Sequence, residues 1–182
     1  MKKHLLLLAL LITTGGLFAQ DELENTEDSN SKHEIKVNGL MLIVGAFEAG
    51  YEYNLNEQSS IGSTIFIGLT DDIDIKYLSP YYRVFFGKKY AAGFFFEGFG
   101  MLNNYGLERT ITNLNTNVSY KEDAGNVTDF ALGLGLGAKW ISKRNFVFEL
   151  NGGFGRNLFN SDKDISGSEF VGKFGFSFGY RF

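Results

Sequence analysis

The 182-residue chain contains 23 Gly, 19 Phe, 9 Tyr and a single Pro, with no cysteine and a formal net charge of −4. This composition favours strands and close backbone approach over helices. It holds no basic stripe to neutralise phosphates, which argues against nucleic-acid binding. Without cysteine there is neither a disulfide framework nor a lipoprotein anchor, and His/Cys metal clusters are excluded.

The chain opens with MKKHLLLLALLITTGGLFAQ, in which Lys2 and Lys3 precede an apolar run from Leu5 to Ile12 and small residues lead to Ala19. That is the layout of a signal peptide over residues 1–19, cleaved after Ala19. It is too short, and too soon followed by acids, to span a membrane as a helix. About 163 residues remain, which suits one domain. Residues 20–32 hold Asp21, Glu22, Glu24, Glu27 and Asp28 against Lys32. They read as an acidic flexible tail, a solvated spacer rather than a docking arm. Removing Lys2 and Lys3 brings the charge to −6; the tail accounts for −4 of this and leaves −2 for residues 33–182.

From His33 onward the pattern has period two. Candidate strands fall near residues 34–42, 46–55, 60–69, 77–86, 90–102, 127–140, 146–156 and 169–182, with no helical period and no sequence repeat. The first is the weakest, because GLMLIVGAF is apolar in succession. Connections alternate in length. NEQS, GKK and ISKRN are tight hairpins, whereas TDDIDIK, residues 103–126 and NLFNSDKDISGS are longer. Short turns at one end and long loops at the other match an outer-membrane barrel with its short turns in the periplasm, and an even strand count returns both chain ends to that side.

The faces follow from parity. Phe130, Leu132, Leu134, Leu136, Ala138 and Trp140 alternate with small residues and Lys139; Phe146, Phe148, Leu150 and Phe154 alternate with Val147, Glu149, Asn151, Gly153 and Gly155. Eight strands enclose a space only just wide enough for side chains. A lumen lined by Phe and Tyr from every strand would overfill, while Gly, Ser, Thr and some long charged residues would fit. The apolar rows therefore face outward, into lipid, and the segments are long enough to span it with tilt. Tyr90, Trp140, Tyr180 and Phe182 are expected as membrane-interface aromatics at the short-turn rim. The fold class expected is an all-β, eight-stranded antiparallel transmembrane β-barrel over residues 33–182.

The hairpin FEAGYEYNLNEQSSIG and the closing FGFSFGYRF resemble small eight-stranded outer-membrane barrels of the OmpA/OmpX architectural type, and more closely outer-membrane barrels of Bacteroidota. The end, with Phe176, Phe178, Tyr180 and Phe182 in alternation, is similar to the C-terminal signal read by barrel-insertion machinery. The resemblance implies an outer-membrane location among lipid and lipopolysaccharide, and an assembly route. It brings no activity with it.

The inward parity collects Glu34, Lys36, Glu48, Glu52, Arg83, Glu97, Lys139, Glu149, Lys173 and Arg181, five acids and five bases. They are expected to form a lumenal ion-pair network that fills the barrel, since each confined charge needs a partner; an ion path is the alternative. Beyond the signal segment His33 is the one histidine, so any Ser/His/acid device would need it. At the periplasmic rim, with no serine motif around it, it reads as a boundary residue. Asp71, Asp72, Asp74, Asp162 and Asp164 lack the spacing of a calcium loop and read as solvated charge. The long connection alternates weakly at Ile111, Leu114, Val118 and Tyr120 and either extends strands five and six as a hairpin or forms a plain surface loop. Asn117-Val-Ser119 and Asn126-Val-Thr128 are ordinary loop polarity. The reading is a non-enzymatic, cofactor-free and metal-free outer-membrane barrel, monomeric because it closes on itself. Its role is envelope structure or surface interaction. The alternatives are a narrow channel or small-ligand carrier, and a secreted lipocalin-like barrel.

Overall fold

The computed structural model describes residues 31–70, 73–113, 118–159 and 169–182. The expected signal peptide, most of the acidic tail, Asp71, Asp72, Asn117, Asp162 and Asp164 lie outside them. Eight strands form one closed antiparallel barrel in sequence order: β1 (His33–Asn38), β2 (Ala46–Asn56), β3 (Ser59–Gly68), β4 (Ile75–Phe85), β5 (Gly93–Asn113), β6 (Val118–Ile141), β7 (Phe146–Asn157) and β8 (Phe170–Arg181). Closure is made by β1, where Glu34 pairs with Glu52 of β2 on one side and Arg181 of β8 on the other. Beyond the ladder, His33 N–H donates to Phe182 O at 2.9 Å and Phe182 N–H donates to His33 O at 2.8 Å. No strand edge is left open along the barrel wall.

The expected first strand, 34–42, is corrected to end at Asn38. A single helical turn, α1 (Gly39–Ile43), follows. Leu40, Met41 and Leu42 favour helix and supply no alternation to hold a strand. Asn38 caps the turn, its Oδ1 accepting from Leu40 N at 3.1 Å and Met41 N at 3.4 Å. Gly45, at φ +88°, then turns the chain into β2.

The fifth strand begins at Gly93 rather than residue 90. Residues 86–92 form a turn that folds inward under the barrel, with Ala91 and Ala92 buried. Ala91 N–H donates to Glu57 O at 2.8 Å, and Arg181 reaches from β8 to the carbonyls of Tyr90 and Ala91. This turn thereby closes the short-turn mouth.

At the other end the connection 103–126 is mostly strand. β5 and β6 stay paired from Gly93/Lys139 out to Asn113/Val118, with a bulge between Gly106 and Glu108. β4 accompanies β5 only as far as Tyr105, and β7 accompanies β6 only from Ala131. Gly106 N–H still donates to Asp74 O at 3.3 Å; beyond it residues 108–113 and their partners continue as a two-stranded ribbon with no third strand paired to it among the described residues, roughly 20 Å long at the usual rise per residue.

Removing the α1 cap is expected to loosen the corner between β1 and β2. Asn38→Ala should cost about 1 kcal/mol, read as a lower urea midpoint with unchanged slope for the barrel in detergent micelles.

Candidate functional site: a charge-filled lumen

Because side chains alternate across a strand, each strand sends one row outward and one inward. The outward rows are apolar and exposed over the whole circumference: Ile35, Phe47, Ile65, Leu78, Phe96, Leu134, Phe154 and Phe176 are among them, Leu134 at 75% and Phe154 at 61%. The inward rows carry the charge. Glu34, Lys36, Glu48, Glu52, Arg83, Glu97, Lys139, Glu149, Lys173 and Arg181 are all buried, and every one has a hydrogen-bonding partner inside the barrel.

The network is organised on two buried carboxylates. Glu52 Oε2 accepts from Lys36 Nζ at 2.5 Å, Arg83 Nη1 at 2.7 Å and Tyr81 OH at 3.1 Å, while its Oε1 accepts from Lys139 Nζ at 2.5 Å. Glu149 Oε2 accepts from Lys36 and Arg83, at 2.6 and 2.8 Å, and its Oε1 from Arg83 Nη2 and Asn151. Arg83 is the central cation. It also donates from Nε to Glu97 at 2.7 Å, so one guanidinium serves three carboxylates, a use of its planar fork that lysine could not reproduce. Its faces lie over Tyr81 and Phe95, 4.2 and 4.3 Å from the ring centroids.

Two branches extend this centre. Towards the short turns, Glu34 accepts from Lys139, from Asn54 and from both Nε and Nη2 of Arg181. On the other side Glu97 accepts from Lys173 at 2.8 Å, and Glu48 accepts from Tyr77 OH at 3.0 Å. Five acids and five bases leave the ten-residue set neutral, as burial of so many charges demands. Beside it lies a polar cavity of about 10 Å³ lined by Lys36, Glu48, Thr64, Arg83, Glu149 and Ser177 among others, space for about one water.

Aromatic side chains occupy part of the lumen, contrary to the expectation of small and charged residues alone. β4 and β5 point Tyr81, Phe85, Phe95, Phe99 and Met101 inward, all buried. The lumen does not overfill because the facing wall is glycine. A Cβ on Gly133 would meet Phe99 Cζ at 2.3 Å, and one on Gly137 would meet Phe95 Cζ at 2.5 Å. The signal for this was the unbroken run GFFFEGFGM opposite LGLGLGA, which only the barrel's cross-section brings together. Asp129, Asn103 and Asn157 form a further buried polar layer near the long-loop end, with Asn103 Nδ2 donating to Asn157 Oδ1 at 2.9 Å; parity could have found Asp129.

Trp140, Tyr180 and Phe182 are exposed on the outer surface at the short-turn rim, near half of each side chain's area being open. Tyr90 is corrected. It lies half-buried in the inward-folded turn, packed against Phe85, Ala91 and Phe95 rather than on the outer girdle. His33 stacks on Phe182 with ring centroids 5.7 Å apart, and its Nδ1 is 2.6 Å from Tyr51 OH. Among the described residues no group of three His, Cys, Asp or Glu is disposed to hold a metal.

Gly133→Ala is expected to destabilise the barrel by about 1–3 kcal/mol through overpacking, and Phe99→Leu in the same chain to recover part of that loss; urea titration of the three variants measures the coupling. Arg83→Ala, which leaves three carboxylates short of a donor, should cost about 3–5 kcal/mol by the same assay.

Among solved structures, the N-terminal β-barrel domain of Pseudomonas aeruginosa OprF is similar at a TM-score of 0.52 and 16% identity, covering 84% of this chain and 98% of that one. Two structures of Yersinia pestis Ail, one in a phospholipid bilayer nanodisc and one with the heparin analogue sucrose octasulfate, match at a TM-score of 0.42 with 15% and 13% identity. Each covers 84% of this chain, and 100% and 99% of its own. At such identities the likeness is one of fold, and fold alone does not assign function. No curated protein matches. A family model described as "Protein of unknown function (DUF3575)" matches residues 5–172, and the chain belongs to that family.

Proposed function

We propose that this chain is a non-enzymatic integral outer-membrane protein, a sealed barrel that holds a surface-exposed β-ribbon in place. The observation that carries the reading is the pairing of an apolar exterior with a lumen closed by ion pairs. An exposed apolar surface that runs around the whole circumference is stable only against lipid. In the lumen, the carboxylates of Glu52 and Glu149 are bonded to cations from β1, β4 and β6, which ties opposite walls together.

The short turns and both ends of the barrel domain then face the periplasm, and the β5–β6 ribbon faces outward. Residues 1–19 act as a cleaved signal peptide, and the acidic stretch after it is a periplasmic spacer. The alternating aromatics of β8 present the strand to barrel-insertion machinery, and the closed sheet leaves the protein monomeric among lipid and lipopolysaccharide. The rim position of His33, engaged with Tyr51 and Phe182, supports a structural rather than catalytic use. A role in envelope structure or surface contact through the ribbon follows.

The refolded barrel in a planar bilayer should show no steady single-channel current, and Glu52→Gln should add none without also loosening the fold. A stable conductance altered by Glu52→Gln or Arg83→Ala would replace this reading with that of a narrow channel.

A further inference from the structure

The two ends of the barrel differ in charge. The short turns carry Lys88, Lys89, Lys143 and Arg144 against the single acid Glu57, while the acidic stretch 20–32 precedes β1. Lys88, Lys89, Lys143 and Arg144 are exposed, and all four lie in the turns 86–92 and 142–145. The segments at the opposite end, 39–45, 69–74, 106–126 and 158–169, hold nine Asp and Glu against three Lys and Arg. The cations of turn 142–145 follow a rim aromatic directly: Trp140 is three residues from Lys143 and pairs across β6–β7 with Phe148. Aromatics of this kind settle at the headgroup level of a bilayer, which puts the neighbouring ammonium and guanidinium groups at the depth of lipid phosphates.

We infer that the short-turn rim is a binding surface for anionic phospholipid headgroups, with the turns 86–92 and 142–145 supplying the cations. This rests on the membrane reading above. The inward-folded turn 86–92 is fixed by Arg181 and Glu57 through its backbone carbonyl and amide groups, so the Lys88 and Lys89 side chains are left to the outside. Turn 142–145 is likewise held by its backbone and by Ser142, whose Oγ accepts from Phe146 N at 3.1 Å. Both sets of cations are thus presented on ordered turns. The acidic opposite end offers no such attraction, so the surface also distinguishes one leaflet from the other.

Trp140 is the single tryptophan of the chain and half of it is exposed at this rim, which makes it the reporter. The full refolded chain is placed in vesicles of phosphatidylglycerol and phosphatidylcholine, with bromine on the acyl chains of one lipid and then of the other. Quenching of Trp140 by the anionic lipid should exceed that by the zwitterionic one by about fivefold at low salt and shrink as salt is raised. Lys143→Gln with Arg144→Gln should bring the ratio towards one without changing the fold. Quenching by neither lipid would remove the membrane reading itself. Equal quenching by both would overturn the headgroup surface alone, and so would a preference appearing only after the five tail acids are replaced by amides, which would show that the tail rather than lipid neutralises these cations in the native chain.

Discussion

Eight strands close around a space that side chains alone can fill, and most other features of this molecule follow from that width. An inward row from each strand must interlock with the rows opposite, so volume and charge have to balance across the lumen rather than along the chain. Arg83 shows how this is met. From β4 it binds Glu52 of β2, Glu97 of β5 and Glu149 of β7, while Tyr81 and Phe95 cover its faces. The large aromatics of β4 and β5 are admitted because Gly133 and Gly137 of β6 leave room for them. Charge neutrality and glycine placement are thus two answers to one geometric limit.

The period-two pattern made the strand number, the closed sheet and the inward or outward sense of nearly every position readable from the residues. The parity of Glu34 and Lys36, or of Glu149 and Lys139, depends only on the neighbours in the same strand. Contacts across the lumen were not readable, because they join residues as far apart as Lys36 and Glu149. The corrections have local causes. Residues 39–43 lack alternation, so strand and helix could not be told apart there, and Asn38 decided the matter by capping. Tyr90 has the outward parity of its strand, but the turn that holds it leaves the strand geometry before residue 93 and folds under the mouth. At residues 106–113 the alternation is weak, so period two alone left strand and plain loop undecided there.

The two ends of the barrel are finished differently. One is closed by a turn that Arg181 holds against Glu34 and the turn's own carbonyls, so that the last strand, the first strand and the β4–β5 connection form one unit. The other end carries a ribbon to which no third strand is paired among the described residues, raised on strands whose lower halves are fixed in the barrel wall. An extended sheet edge above a fixed base is what the proposed surface contact would use, since edge strands can pair with an added strand.

The central claim is that lipid surrounds the outside and ion pairs seal the inside. The absence of native cysteine allows a direct measurement: single cysteines at Ser177, in the lumen, and at Phe176, on the outer face, with Lys89→Cys as an exposed control, treated in bilayers with a water-soluble thiol reagent. The account predicts rapid modification at position 89 and none at 176 or 177. Modification at 177 would show a water path through the barrel, and modification at 176 would show that the outer face is wet; either result would contradict it.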